Sequence, residues 1–477
     1  MNILFGLGVI FLILNIIFSL SLIFFERKDP TTTWAWLLIF IMLPGLGFVL
    51  YLLLGQNLSR QKIFKEKTQI DEIKRKNINS KYMANTNYHD GGERFFDLRK
   101  MNFNHSGAQY TTNNDVDLYF SGEDKFKQLI EDIKNAEKYI HVEYYIFRND
   151  CLGKIIVEEL TKKAKSGVEV RLLADSMGSH TLTKRAVKKY LDAGGKFSIF
   201  FPGILPHINT RINYRNHRKI VVIDGKYGYV GGFNVGKEYV NKDGKIGFWR
   251  DTHVRIHGEA VNSLNERFLL DWCYASAEKI DDYEKYLSEP ESYIGDTGIQ
   301  IVTSGPDHEE EYIKNGYIKL INNAKDNVYL ETPYLVPDIP ILEALKISAL
   351  SGVDVRIIIP GNPDHFFMQW AASSYIGELL NAGIKVYYYN NGFIHAKTIV
   401  ADSAVSSVGT ANMDIRSFKL NFEVNAFIYD EMIAKKIEDQ FMKDIEFSDE
   451  ITIESHSNRS VYLRIKESLI RLLSPIL

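Results

Sequence analysis

Cysteine is nearly absent from this chain, and its scarcity excludes two classes of protein. Only Cys151 and Cys273 occur among the 477 residues, and they lie in unrelated contexts. Two distant cysteines provide neither a disulfide framework nor a zinc site, and their scarcity is consistent with a reducing compartment. We expect both to be incidental or core thiols.

The sequence also lacks an excess of charge of either sign. Lysine and arginine total 57 against 60 aspartates and glutamates, which leaves a net charge of −3. Nucleic-acid-binding proteins usually carry a basic surplus, so this balance disfavours that class, although a local basic groove remains compatible with it. The length exceeds that of one simple core, and two or three domains are expected.

The first sixty residues contain almost no charge. Residues 1–25 have no charged side chain, and after a short charged loop neither do residues 30–59. Each run is long enough to cross a hydrocarbon core about 30 Å thick, and the pattern of a cleaved secretory signal is missing. We predict two transmembrane helices, at about 3–25 and 34–54, with the second kinked at Pro44-Gly45. The alternative is a buried helical hairpin of a soluble protein.

Basic residues are concentrated after the second apolar run. They are Arg60, Lys62, Lys65, Lys67, Lys74, Arg75 and Lys76. The positive-inside rule therefore places the large C-terminal region in the cytoplasm, with the N-terminus on the same side. We predict that residues 60–105 form a polar linker with some helix, whose basic cluster either contacts anionic lipid headgroups or is only solvated.

A constellation of four residues occurs twice at the same spacing. The first copy is His217, Lys219, Asp224 and Asn234, and the second is His395, Lys397, Asp402 and Asn412. Each copy reads as strand, turn and strand, which predicts a β-hairpin in which His and Lys share one face. A regular register would bring each Asn opposite its His. The small residues before each Asn are expected to let backbone and ligand approach closely.

These residue types suit the chemistry of a phosphate ester. Lysine and asparagine donate to phosphoryl oxygens, and histidine can attack phosphorus or transfer a proton near neutral pH. Two facing copies would supply one imidazole to attack and another to protonate the leaving alkoxide, without a metal. Asp224 and Asp402 lie at an odd offset from the lysines, so they serve either the chemistry or the pinning of the hairpin turns.

From about residue 106 the chain alternates between strand and helix patterns and repeats itself. Residues 136–143 and 324–331 are similar, as are later segments of the two halves. We predict an α/β protein of two αβα halves, 106–285 and 286–477, related by a pseudo-two-fold axis, with one site where the hairpins face each other. The insertion at 201–215 lines the substrate entrance or is inert. The C-terminal amphipathic helix packs on the domain or lies on the bilayer.

Both copies match the His-x-Lys-x4-Asp motif, and the chain resembles the phospholipase D superfamily. The resemblance extends to Trp249–His253, Asp414–Phe418 and Asn421–Glu423, and with the apolar N-terminus the whole chain is similar to bacterial cardiolipin synthases. It implies two phospholipase D-like halves in which Asp251 and Glu423 orient the histidines. Which carboxylate orients which histidine stays open. The alternative for both acids is an ordinary surface position or an ion pair.

The resemblance also implies an activity. The expected enzyme is a phosphatidyltransferase that converts two phosphatidylglycerol molecules into cardiolipin and glycerol through a phosphatidyl-histidine, with His217 favoured as nucleophile and no cofactor. It would be a multi-pass protein of the bacterial plasma membrane with a cytoplasmic catalytic region. The alternatives are a phospholipase D that uses water, a membrane-tethered phosphodiesterase or nuclease, and an inactive membrane scaffold.

Overall fold

A computed structural model gives the structure of most of the chain. It describes residues 13, 15–20, 22–24, 30–51, 64, 67, 94–202, 213–241, 247–280, 282–288, 292–362, 364 and 366–473. Most of the predicted linker, parts of the two apolar runs and most of the 201–215 insertion lie outside the described residues.

The described helices lie mostly between and after the strands of the two halves. They are α1 (Pro30–Met42), α2 (Leu46–Leu50), α3 (Phe96–Ser106), α4 (Gly122–Asn135), α5 (Cys151–Lys165), α6 (Lys188–Asp192), α7 (Ala260–Ser276), α8 (Tyr312–Asn323), α9 (Ile339–Leu350), α10 (Phe366–Asn381), α11 (Ile415–Lys419), α12 (Glu431–Glu446), α13 (Ile453–Ser457) and α14 (Val461–Leu473). Short 3-10 turns cover Lys237–Val240 and Glu284–Tyr286.

The described strands fall into two similar series. They are β1 (Tyr110–Thr111), β2 (Asn114–Tyr119), β3 (Tyr139–Tyr144), β4 (Glu169–Asp175), β5 (Lys196–Phe200), β6 (Arg215–Asn216), β7 (Lys219–Ile223), β8 (Tyr227–Gly231), β9 (Trp249–Arg250), β10 (His253–Gly258), β11 (Gly298–Ser304), β12 (Asn327–Glu331), β13 (Leu335–Val336), β14 (Asp354–Pro360), β15 (Lys385–Tyr389), β16 (Phe393–Ile394), β17 (Thr398–Ala401), β18 (Val405–Gly409), β19 (Met413–Asp414), β20 (Asn421–Tyr429) and β21 (Ser448–Ile451).

Each half forms its own mixed sheet, and the two sheets repeat one arrangement. The first has the order β2-β10-β8-β7-β3-β4-β5, and the second runs β1-β11-β20-β18-β17-β12-β14-β15-β21. In both, three parallel strands adjoin an antiparallel hairpin, which is β7–β8 in the first and β17–β18 in the second. The duplicated α/β halves predicted from the sequence are confirmed.

The helices form three layers around these sheets. The central helices α7 and α12 share one apolar core with the facing sides of both sheets. Helices α4 and α5 cover the outer side of the first sheet, and α8, α9 and α10 cover the second. Strands β4 and β14 are apolar along most of their length because both of their faces are covered.

The segment before the first half packs on the second half. Helix α3 contacts α8, and β1 pairs with β11 of the second sheet. The chain therefore packs on the second half before it enters the first sheet. The predicted start of the first half at residue 106 did not anticipate these contacts.

The described residues of the two apolar runs pack against each other. The Asn15 side chain donates to the Phe40 carbonyl at 2.9 Å, and the Phe18 and Phe48 rings stack. Helix α1 ends at Met42 and α2 begins at Leu46, with Gly45 at φ 80°, so the predicted break at Pro44-Gly45 is confirmed. Among the described residues, no helix combines the length and apolar character needed to cross a membrane.

Asp224 and Asp402 hold the turns of the two hairpins. The Asp224 carboxylate accepts the backbone N–H groups of residues 137–139 at 2.7–2.8 Å, and Asp402 accepts those of residues 325–327 at 2.7–2.9 Å. Both residues have φ 56°. Each stands five strand residues, roughly 16 Å, from its motif lysine. This geometry places the two aspartates at the turns, where they pin the hairpins, and it favours the pinning role over the catalytic role, which stays a prediction.

We expect Asp402→Asn to lower the free energy of unfolding by about 2 kcal/mol or more, since a carboxamide loses the charge-assisted bonds and turns an NH2 toward backbone donors. Asp224→Asn should cost less because its surroundings are more exposed. Denaturant unfolding measures both, with the exposed Asp439→Asn as the matched control. Full stability combined with lost turnover would restore the catalytic assignment.

Candidate active site

The motif histidines lie immediately before the hairpins rather than within them. His217 precedes β7, and His395 precedes β17. The last hairpin pairs are Ile220 with Val230 in the first half and Thr398 with Val408 in the second, where one more bond joins the Gly409 N–H to the Lys397 carbonyl, so the pairing ends before either histidine. The regular register that would set Asn234 opposite His217 and Asn412 opposite His395 is therefore not formed.

Instead, each histidine is aligned by the opposite half. Strand β6 runs parallel to the start of β20 with Asn216 beside Phe422, and β16 runs parallel to β9 with Ile394 beside Arg250. The next backbone N–H groups continue both pairings, since His217 donates to the Phe422 carbonyl at 3.0 Å and His395 to that of Arg250 at 2.7 Å. One residue further along, each bridge brings a histidine beside a carboxylate.

The two carboxylates hold the histidines crosswise. His217 Nδ1 lies 2.9 and 3.0 Å from the Glu423 oxygens, and His395 Nδ1 lies 2.7 Å from Asp251 Oδ2. Both acids are fully buried. The structure thus pairs the first-half histidine with the second-half acid, and the reverse, which the sequence left open.

A threonine hydroxyl, a backbone N–H and a glycine determine where the two carboxylates lie. Thr410 Oγ1 donates to Glu423 at 2.5 Å, and the Thr252 N–H donates to Asp251 at 2.7 Å. A Cβ on Gly232 would stand 1.8 Å from Asp251 Oδ1. The small residue at 232 therefore makes room for the carboxylate that orients His395.

The motif lysines are buried beside the histidines. Lys219 Nζ donates to the His217 carbonyl at 2.7 Å, and Lys397 Nζ donates to that of His395 at 2.5 Å and lies 3.2 Å from His395 Nε2. Burial lowers the pKa of Lys219 to about 7 and that of Lys397 to about 8, although the buried carboxylates oppose the shift. Burial disfavours the two ammonium groups despite the two nearby carboxylates, so a further anion beside them would favour their charged forms.

Burial also lowers the pKa of both histidines, to about 4 each, while Glu423 and Asp251 oppose the shift. The imidazoles are therefore neutral at pH 7. Each gives its Nδ1 hydrogen to the carboxylate, which leaves the Nε2 lone pair as the nucleophile.

The charged groups of each hairpin influence the histidine of the other. Lys397 of the second half lowers the pKa of His217, and Lys219 of the first half lowers that of His395. Aromatic rings flank the histidines, with Tyr145 centred 4.9 Å from the His217 ring and Trp249 centred 5.1 Å from the His395 ring. Trp249 is buried and contacts the His395 ring.

The two motif asparagines have partners within the protein. Asn234 accepts the Ile146 N–H at 3.1 Å and donates to the Tyr239 hydroxyl at 3.2 Å. Asn412 donates to Asp414 at 3.0 Å. These bonds order the loops that follow the hairpins, and binding of a phosphate by either amide stays a prediction.

Comparison with known proteins identifies the family. The family model described as "Cardiolipin synthase, PLD-like domain" matches residues 129–272 and 317–445, and one described as "Phospholipase D-nuclease N-terminal" matches residues 13–56. The chain is 55 % identical over 456 residues to a cardiolipin synthase of Clostridium perfringens (strain SM101 / Type A), with 95 % of each chain covered. It is 49 % identical to the major cardiolipin synthase ClsA of Bacillus subtilis (strain 168), with 98 % of each covered. The chain belongs to the cardiolipin synthase family of the phospholipase D superfamily.

A solved structure shares the fold of this cardiolipin synthase family member. The crystal structure of phosphatidylserine synthase from Haemophilus influenzae Rd KW20 aligns with a TM-score of 0.60 at 15 % identity, covering 80 % of this chain and all of that chain. At this identity the likeness shows the fold alone.

Two arginines that the sequence analysis missed position the carboxylates in this family member. Arg218 Nε donates to the Glu423 carbonyl at 3.1 Å, and an Arg250 terminal nitrogen donates to the Asp251 carbonyl at 2.7 Å. Each guanidinium also pairs with a central helix, Arg218 with Asp271 at 2.5 Å and Arg250 with Asp444 at 2.7 Å. Arg218 occupies the variable position of the motif, where nothing in the pattern signals a buried role.

We expect that in Glu423→Gln the hydrogen of the neutral His217 ring is no longer held on Nδ1, so that both tautomers of this ring are populated. His395 should keep its hydrogen on Nδ1. The carboxylate holds the hydrogen on Nδ1, whereas a carboxamide can donate as well as accept. Nitrogen-15 shifts of labelled histidine rings at pH 7 measure the tautomers, and Asp251→Asn should act on His395 instead. A larger change at His395 in the Glu423 variant would contradict the crosswise pairing.

Proposed function

We propose that this enzyme transfers a phosphatidyl group from one phosphatidylglycerol to another, forming cardiolipin and releasing glycerol. The observation that carries the proposal is the pair of neutral imidazoles, each oriented by a carboxylate of the other half, beside two buried lysines. Family membership and the cardiolipin synthases among its relatives support the choice of lipid.

The first half-reaction forms a covalent intermediate. His217 Nε2 attacks the phosphorus of the donor lipid, and the bond from phosphorus to the glycerol oxygen breaks. His395 gives a proton to the departing alkoxide. In the empty site its pKa is about 4, so it acquires this proton when the phosphodiester anion binds and favours the imidazolium.

The second half-reaction transfers the group onward. His395, now neutral, takes the proton of a glycerol hydroxyl on the second lipid, and that oxygen displaces His217 from phosphorus. His395 thus regains its proton, and the charges balance over the cycle. Lys219 and Lys397 stabilise the phosphoryl oxygens, with Asn234 and Asn412 as further donors, so that no metal is needed.

The N-terminal region anchors the enzyme in the bacterial plasma membrane through two spans, at about 3–25 and 34–54, with the catalytic halves in the cytoplasm. Three features support this arrangement: the uncharged runs, the packing of Asn15 and Phe18 on residues 40 and 48, and the basic residues that follow. Anchoring would hold the site next to lipid at high local concentration, which helps lipid compete with water.

Full-length enzyme in phosphatidylglycerol vesicles should release one glycerol for each cardiolipin formed. His217→Ala and His395→Ala should yield neither product, and Lys219→Ala or Lys397→Ala should lower the rate at least about 10²-fold, because each ammonium stabilises the transition state. His105→Ala, outside the site, is the matched control. Phosphatidic acid instead of cardiolipin would establish the hydrolase alternative, and degradation of added DNA would establish the nuclease.

The pH dependence of kcat/KM should be bell-shaped. Rates should fall as pH drops through about 4, where His217 becomes protonated. They should decline gradually above about 4, because His395 must take up a proton as substrate binds, and more steeply above about 7 to 8, where the lysines lose their charge. Bound phosphate favours the ammonium, so the alkaline limb of kcat should lie at higher pH than that of kcat/KM. Steady-state kinetics in buffered vesicles measure both limbs. A kcat/KM that stays constant up to pH 10 would refute the electrostatic role of the lysines.

A further inference from the structure

The C-terminal helix α14 packs on α10 through a mixed face that carries Glu467, Arg471 and the partly buried Ile470. Glu467 is buried, accepts the Ser373 hydroxyl at 2.6 Å and lies 3.3 Å from Arg459. Arg471 pairs with Glu378 at 2.5 Å. These contacts fix one face of the helix against the second half, so the rotation of α14 about its axis is determined.

The opposite face of α14 is apolar and exposed. Its side chains are 54–70 % accessible: Val461, Tyr462, Ile465, Leu469 and Leu472. At 3.6 residues per turn, they fall within an arc of about 100°. A surface helix of a globular protein normally turns such a stripe toward the core. Here Ile470 faces the core, but the wider stripe faces away from the domain and is left for an occupant outside it.

Basic groups border this stripe. Lys466 lies 4.2 Å from the centre of the Tyr462 ring, and Arg464 is exposed on the other edge. Beside Arg464, a cavity of about 200 Å³ between α13 and α14 is also lined by His456 and Arg459. Cations flanking an apolar stripe are the arrangement by which interfacial helices bind anionic lipid surfaces.

The size of the stripe argues against a second copy of the chain. A helix of 13 residues is about 20 Å long and about 10 Å wide, which offers roughly 200 Å². A stable protein interface needs about 800 Å² from each partner. A bilayer imposes no such minimum, and its choice as occupant rests on the proposed function, because an enzyme that takes membrane lipids works at a membrane surface.

We propose that α14 is an interfacial helix, which inserts this stripe into an anionic bilayer while Arg464 and the neighbouring cavity bind headgroup phosphates. The helix therefore gives the catalytic region a membrane contact far along the chain from the N-terminal anchor. Two separate membrane contacts would together fix the orientation of the second half relative to the lipid surface.

The test places a fluorophore on the stripe of the full-length protein. Leu469→Cys, in a Cys151→Ser background, is labelled and reconstituted in vesicles of phosphatidylcholine with or without phosphatidylglycerol, each carrying brominated acyl chains. Quenching should be at least about twofold stronger at residue 469 than at the control Ile155→Cys, an exposed apolar position on α5, and stronger with the anionic lipid. Arg464→Gln should weaken this dependence on anionic lipid.

Equal quenching at residues 469 and 155 would overturn the proposal, and equal quenching in neutral and anionic vesicles would overturn the role of headgroup charge. Cardiolipin formation is measured on the same samples. Cardiolipin without quenching would refute the interfacial helix and leave the proposed function intact, whereas quenching without cardiolipin would do the reverse.

Discussion

The crosswise bonds between histidine and carboxylate are the interaction on which the site depends. Each imidazole is contributed by one half and oriented by an acid of the other, at 2.7–3.0 Å. Neither half alone holds an oriented histidine, so docking of the halves and assembly of the active site are one event. The short parallel bridges β6–β20 and β9–β16 set this alignment through the backbone, which makes it insensitive to side-chain rotation.

Burial of the site residues then determines their protonation states. Lys219, Lys397, Asp251 and Glu423 are all withdrawn from water and balance in formal charge. Burial lowers the pKa of the lysines and histidines, while the neighbouring Lys397 and His217 hold the pKa values of Asp251 and Glu423 below their ordinary range despite burial. An entering phosphodiester adds negative charge and so favours the ammonium and imidazolium forms. The substrate itself therefore creates the protonation states that the transfer requires.

The sequence predicted the parts of the protein that repeat, because a duplicated motif and a duplicated strand pattern are visible without coordinates. It could not predict the crosswise pairing, since contacts between residues 206 and 144 positions apart leave no periodic signal in one chain. It also could not separate the two roles of Asp224, because a turn-pinning acid and a catalytic acid occupy the same place in the motif. Arg218 and Arg250 were missed for a related reason: they reach the site through main-chain carbonyls, which any sequence provides, and their carboxylate partners Asp271 and Asp444 lie 53 and 194 positions away.

The segment between the apolar N-terminal region and the two halves shows how far the contacts around the site extend. It was predicted as a polar linker, yet Phe64 and Lys67, its two described residues before 94, are buried. Lys67 Nζ lies 2.9 Å from Asp307 and 3.6 Å from Asp271, the partner of the arginine that holds the Glu423 carbonyl. Removing a cation from such a buried pair leaves an uncompensated charge, which is costly. The chain that leaves the N-terminal region is thus part of the network that orients His217, so the N-terminal region and the site are joined by contacts as well as by sequence.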